Sequence, residues 1–85
     1  MSKKNSFTGK GIENGEQSWP DGSRYIGEFL DGQLNGQGTY FWPDGDKYVG
    51  QWVSGNRSGL GIHTRSNGST YIGEFLNNKP HGVLA

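Results

Sequence analysis

From Arg24 to Leu30 the side chains alternate in character: Tyr25, Gly27 and Phe29 fall on one face of an extended chain, and Ile26, Glu28 and Leu30 on the other. The same period of two runs through 47–53 and 70–76, and shorter runs at 16–19, 38–42 and 61–65 also read as strands. No stretch places apolar residues at helical spacing between caps. Turn chemistry separates the strands. In Trp19-Pro20-Asp21-Gly22 and Trp42-Pro43-Asp44-Gly45 the proline presets φ for a type I turn, and the glycine suits the left-handed residue after it. Ser66-Asn67-Gly68 substitutes Asn-Gly at the corresponding place. The pattern predicts an all-β protein: a single-layer antiparallel meander of about six strands in consecutive hairpins.

The alternation is itself periodic. Tyr25-Ile26-Gly27-Glu28-Phe29, Tyr48-Val49-Gly50-Gln51-Trp52 and Tyr71-Ile72-Gly73-Glu74-Phe75 recur every 23 residues, and a fixed period of this size marks a repeat architecture. Gly27, Gly32, Gly36, Gly38 and Gly45 align with Gly50, Gly55, Gly59, Gly61 and Gly68. The segment GEQSWPDG at 15–22 matches GTYFWPDG at 38–45, so half a repeat precedes the first whole one. The expected organisation is a poorly matching lead-in at 1–14 and an array over 15–85. The array divides into a half repeat at 15–24, repeats at 25–47 and 48–70, and a partial repeat at 71–85.

The pattern Y-x-G-E-[W/F]-x-x-G-x-x-x-G-x-G, carried by YIGEFLDGQLNGQGTYFWPDG at 25–45 and YVGQWVSGNRSGLG at 48–61, resembles the MORN repeat (membrane occupation and recognition nexus). Gln51 stands where the pattern has Glu, and Asn78 where it has Gly. The resemblance implies an elongated, curved sheet serving as a scaffold or targeting module, with phospholipid binding a further role attributed to the family.

A single layer has no second sheet to cover it. Gly27, Gly50 and Gly73 leave gaps on the aromatic face, and a ring from a neighbouring strand is expected over each, worth on the order of 2 kcal/mol from buried area. Glycine under rings also bends a sheet toward a trough.

Composition narrows the function. The 85 residues suit one small domain with a thin core. The absence of cysteine excludes disulfides and thiolate metal sites. Met1 to Phe7 has lysines without an apolar run behind them, which is no secretory signal, and no segment has the roughly 20 apolar residues that span a bilayer. A cytoplasmic address is expected, which leaves Asn56-Arg57-Ser58 and Asn67-Gly68-Ser69 as turn residues rather than glycosylation sites. Zero net charge argues against a nucleic-acid partner. The charge is unevenly spread: residues 1–46 carry four basic and seven acidic side chains, and residues 47–85 carry four basic and Glu74 alone.

No catalytic or cofactor site is expected. Glu28 and Glu74 occupy one motif position two repeats apart, roughly 19 Å at about 4.8 Å per strand, too far to act on one bond. Gln51 between them points to a hydrogen-bonding structural role. His63 and His81 have no further ligand at metal spacing, and Gly9-Lys10-Gly11 lacks the residues that complete a phosphate loop.

The remaining constellation is aromatic: Tyr25, Phe29, Tyr40, Trp42, Tyr48, Trp52, Tyr71 and Phe75 share a face if the alternation holds across hairpins. Either these rings only pack on one another, or they line a trough that accepts a partner. Six strands span roughly 24 Å, which an extended peptide of about seven residues fills. The first functional reading is a non-enzymatic protein-interaction module binding a peptide or helix; the alternative is a phospholipid headgroup binder, against which stands the lack of a basic cluster. The strand at 71–76 is expected to be the C-terminal edge, with unpaired backbone groups favouring a homodimer.

Overall fold

The computed structural model describes residues 11–83. The first ten residues of the lead-in, with Lys3, Lys4 and most of Gly9-Lys10-Gly11, lie outside the described residues, as do residues 84–85 at the end of the partial repeat. Seven strands form one antiparallel sheet in sequence order: β1 (Glu13–Ser18), β2 (Arg24–Leu30), β3 (Gln33–Phe41), β4 (Lys47–Val53), β5 (Asn56–Thr64), β6 (Thr70–Leu76) and β7 (Lys79–Val83). The sheet is an open succession of hairpins, as the alternation and the turns predict.

Two kinds of turn alternate along it. At the first kind, Gly22, Gly45 and Gly68 have φ of 101°, 102° and 95°. Their N–H groups donate to the carbonyls of Trp19, Trp42 and Arg65 at 3.0, 3.1 and 2.8 Å, closing type I turns followed by a left-handed glycine. The side-chain oxygens of Asp21, Asp44 and Asn67 accept from the backbone N–H two residues on, each at 2.9 Å, which is why Asn67 replaces aspartate without loss.

The second kind corrects the expected strand list. Asp31-Gly32, Ser54-Gly55 and Asn77-Asn78 are two-residue turns with both φ values positive: 52° and 81°, 49° and 85°, 49° and 72°. Two consecutive left-handed residues make the connection whose twist matches that of the paired strands. The following strands therefore start at Gln33 and Asn56, five residues before the positions expected from alternation alone. Asn78 tolerates the left-handed conformation that Gly32 and Gly55 adopt.

The same compact turn overturns the expected C-terminal edge. Asn77-Asn78 uses only two residues, so β7 pairs with β6 from Leu76↔Lys79 to Gly73↔Val83. The strand at 71–76 is thus paired on both sides, and the outer strand contains Lys79 and Pro80, residue types that blunt backbone pairing. At the other end, β1 pairs with β2 from Glu13↔Phe29 to Ser18↔Arg24. Pairing therefore includes Glu13 and Asn14, because a ladder needs extended backbone rather than repeat side chains.

Register slips after Gly27 in β2 and after Gly50 in β4, opposite glycines of positive φ at 36 and 59. There Glu28 Oε1 accepts from the Gln37 N–H at 2.7 Å, and Gln51 Oε1 from the Leu60 N–H at 3.1 Å. One acceptor oxygen closes each irregularity, so Gln51 does what Glu28 does. Glu28 and Glu74, on β2 and β6, are separated by three intervening strands.

The two faces differ. The buried core is four rings on one face, Tyr25 and Tyr48 at 0% exposure, Phe75 at 3% and Trp52 at 4%. On the opposite face the register lines up Ile26, Thr39, Val49, Ile62 and Ile72 in one cross-strand row, and its four aliphatic members are exposed.

Candidate binding trough

Six rings form a continuous zigzag along the aromatic face. In order they are Phe29, Tyr25, Trp52, Tyr48, Phe75 and Tyr71. Their successive centroids are 5.1, 5.6, 5.2, 5.0 and 5.1 Å apart, and interplanar angles run from 82° to 87°. Edge-to-face packing sets each positive ring edge against the next negative face, adding about 0.5–1.5 kcal/mol per pair beyond area burial. The tyrosines are anchored at their far ends. Tyr25, Tyr48 and Tyr71 donate through Oη to the carbonyls of Glu28, Gln51 and Glu74 at 2.9, 3.1 and 3.0 Å. Burial pushes the Tyr25 phenol up to about 12 and the Tyr48 phenol upward as well, since the phenolate loses its water.

Two glycines make this possible. A Cβ on Gly38 or Gly61 would collide with the phenol of Tyr25 or Tyr48 respectively. The expectation of a neighbouring strand's ring over Gly27 and Gly50 is overturned: the rings there are Tyr25 and Tyr48 of the same strands. The Tyr25 ring reaches across to cover Gly38 on β3. No ring stands directly opposite, because the register lines up Gly15, Gly27, Gly38, Gly50, Gly61 and Gly73 in one row across the sheet.

The eight expected site residues do share a face, but in two tiers. Tyr25, Tyr48, Trp52 and Phe75 are the buried floor. Phe29, Tyr40, Trp42 and Tyr71 are half-buried and pack against it. Above the floor Trp19, Tyr40 and Trp42 form a second cluster, with centroids 5.4 Å apart for Trp19 and Tyr40 and 4.7 Å for Tyr40 and Trp42. Trp42 also stacks on His63 at 5.2 Å and 30°.

The face is concave in two places. One hollow, of about 360 Å³, is walled by Trp19, Leu34, Tyr40 and Trp42 over Trp52. The other, of about 460 Å³, is walled by Arg57, His63, Arg65, Tyr71 and Pro80 over Phe75. Arg57 and Asn78 line both and so separate them. The Arg57 guanidinium carbon lies 5.3, 5.9 and 5.4 Å from the ring centroids of Trp42, Tyr48 and Phe75, within cation–π range. Its Nη2 donates to the Asn78 carbonyl at 2.9 Å and its Nη1 to His63 Nδ1 at 3.2 Å. Arginine only donates, so His63 Nδ1 is the acceptor, and its Nε2–H points to Asp46 Oδ2 at 3.1 Å. That hydrogen bond, with the Ser66 N–H on the other oxygen, holds the Asp46 carboxyl below the usual carboxylate range. Burial pulls the Arg57 guanidinium downward.

The expected list missed Trp19, Arg57 and Arg65. Trp19 sits one period before Trp42, and Arg57 one period after Leu34, so subtraction of the repeat exposes each. His63 was weighed only as a metal ligand. Among the described residues no group of three metal-ligating side chains is gathered, and no helix is long and apolar enough to cross a membrane.

Comparison with known proteins agrees with this geometry. A search of curated proteins found no match to the chain. The family model for the MORN repeat matches at residues 25–47, 48–70 and 71–83, in phase with the tyrosines that open each unit. Such repeats are non-enzymatic modules that generally mediate protein or membrane interactions. With three consecutive units matched over most of its length, and the tyrosine–aromatic ring pair and the tyrosine-to-carbonyl hydrogen bond recurring in each, the chain belongs to the MORN-repeat family.

Proposed function

We propose that this protein is a non-enzymatic interaction module whose concave aromatic face takes an extended peptide or helix of a partner protein. The supporting observation is the second tier of rings: Trp19, Tyr40 and Trp42 leave ring surface open around a hollow of about 360 Å³ instead of closing over it. Tryptophan and tyrosine are the residues most often carrying the energy of an interface. The tier divides the roles of the eight expected residues. Phe29, Tyr40, Trp42 and Tyr71 offer contact surface, while Tyr25, Tyr48, Trp52 and Phe75 hold that surface rigid.

Peptide selection tests the reading. Replacing Trp42 with alanine is expected to abolish binding of peptides selected on the intact protein while leaving the sheet folded by circular dichroism. Selected peptides that bind the Trp42→Ala protein as tightly as the parent would defeat it.

A membrane surface is the second reading, favoured by Arg57 and Arg65 in the larger hollow. Sedimentation with vesicles containing anionic lipid at physiological salt separates the two. A second copy of the chain is a further partner to test. Among the described residues β7 is the outer strand of the sheet, and Lys79 and Pro80 limit pairing along it to a weak contact.

A further inference from the structure

The two hollows are one repeat apart, and they differ in chemistry at three equivalent wall positions. Leu34, Tyr40 and Trp42 wall the first; adding the 23-residue period to each gives Arg57, His63 and Arg65, which wall the second. Floor residues keep their character across the same step, Trp52 becoming Phe75. An aliphatic side chain and two rings have therefore been exchanged for two cations and an imidazole at three equivalent positions of one repeat. Stacking does not require this exchange, since the preceding repeat stacks without it.

We infer that the larger hollow is a carboxylate-binding compartment, and that the partner peptide sets an acidic side chain over Arg57 and Arg65 beside an apolar or aromatic one in the Trp19–Trp42 hollow. This rests on the peptide-binding reading above and specifies what that peptide must contain.

Three observations carry it. First, Arg57 is preorganised: three rings and the Asn78 carbonyl fix its plane, and of its five N–H groups those on Nε, Nη1 and Nη2 that face protein acceptors leave two without one. A guanidinium so held loses little freedom on gripping a carboxylate. Second, its partners are neutral. Among the described residues neither Arg57 nor Arg65 forms a salt bridge, and the nearby Asp46 carboxylate is occupied by His63 and the Ser66 N–H. A half-buried cation among rings and neutral acceptors is costly to keep without an incoming anion. Third, the lining favours an anion: Arg57 and Arg65 line the hollow and no carboxylate does, Asp46 being held behind His63 and Glu74 lying on the opposite face of β6 from Phe75.

The spacing follows from the sheet. Equivalent positions in successive repeats are two strands apart, about 10 Å. A peptide in the polyproline II conformation advances about 3.1 Å per residue with three residues per turn, so residues three apart lie on one face and cover about that distance. The recognised element is thus an aromatic or large aliphatic residue with Asp or Glu three positions away.

Selection of binders from a random 12-residue peptide library on the full chain tests this. Enriched sequences are expected to share an acidic residue three positions from an aromatic or aliphatic one, and changing that acid to its amide should weaken binding about tenfold. The informative variant carries Arg57→Leu, His63→Tyr and Arg65→Trp together, giving the second hollow the lining of the first, which this sheet already folds with. It should bind the acid and amide peptides equally. If that variant fails to fold, Arg57→Gln with Arg65→Gln serves the same comparison. Enriched peptides with no acidic position, or an acid preference that survives the variants, overturn the compartment and leave the peptide trough standing. Enrichment of nothing overturns both. Binding only to phosphatidylserine vesicles, lost in the variant, assigns the compartment to lipid and overturns the peptide assignment.

Discussion

Replacing Trp52 with alanine removes the centre of the ring zigzag. The indole is 4% exposed. It packs edge-to-face on Tyr25 and Tyr48, with centroids at 5.6 and 5.2 Å, and tilts on Tyr40 at 5.6 Å. A buried tryptophan cut to alanine costs about 3–5 kcal/mol. Three lost ring pairs at about 0.5–1.5 kcal/mol each make up much of that. A domain of this size has roughly 4–13 kcal/mol in total, so the variant stands near the limit of folding, its melting temperature lowered by on the order of 20 °C. Trp42 is the internal control. It is half-buried at the rim, and its loss should cost about 1–2 kcal/mol while removing peptide binding. Urea unfolding followed by circular dichroism reads both. If Trp52→Ala loses less than about 1 kcal/mol, or Trp42→Ala loses as much as Trp52→Ala, the division into floor and rim is wrong.

Gly61→Ala should destabilise by about 1–3 kcal/mol, because its methyl collides with the Tyr48 ring, whereas Gly55→Asn should stay within about 0.5 kcal/mol, since Asn78 already fills the equivalent turn; thermal melts compare them. Gln51→Glu should be nearly neutral and Gln51→Leu should cost about 0.5–1.5 kcal/mol by leaving the Leu60 N–H to water, a contrast lost if that acceptor is idle. With Tyr25 raised to about 12, its contribution is complete below the ordinary phenol value near 10 and is lost as pH rises from there to 12. The Tyr25 share of the phenolate absorbance, read as the difference from Tyr25→Phe, should therefore rise late and together with loss of the sheet signal; early titration of Tyr25 with the sheet intact would contradict the burial. Light scattering at tens of micromolar should show a small self-associated fraction that persists at high salt, because the contact is backbone pairing; monomer at both low and high salt removes the edge contact.

Much of the architecture was legible because two periods coincide. A period of two within Tyr25–Leu30 names the buried face, and a period of 23 says that every hairpin is the same hairpin. Proline, aspartate and glycine in Trp42–Gly45 act within four residues, and such local chemistry reads off a sequence. The turn at Asp31-Gly32 was harder. Glycines at 32, 36 and 38 resemble a loop until the strand pairing shows that one makes a turn, one faces a register slip and one makes room for Tyr25.

The candidate site divides along the same line. That aromatic residues share a face is set by alternation. Which of them are floor and which are rim depends on edge-to-face contacts between strands, and Tyr48 and Tyr40 look alike as sequence although one is sealed and the other half open. The cationic hollow lay in the sequence as the departures of Arg57, His63 and Arg65 from the repeat. A departure acquires meaning only when the sheet gathers it, because residues two, eight and ten places beyond Gly55 meet in one hollow only after hairpins have stacked. The sequence by itself determined the repeat, the strand faces and the type I turns, since these depend on contacts a few residues long. The tertiary structure alone decided the strand count, the two-tiered trough and the pairing of Arg57 with three rings, because each depends on side chains brought across neighbouring strands.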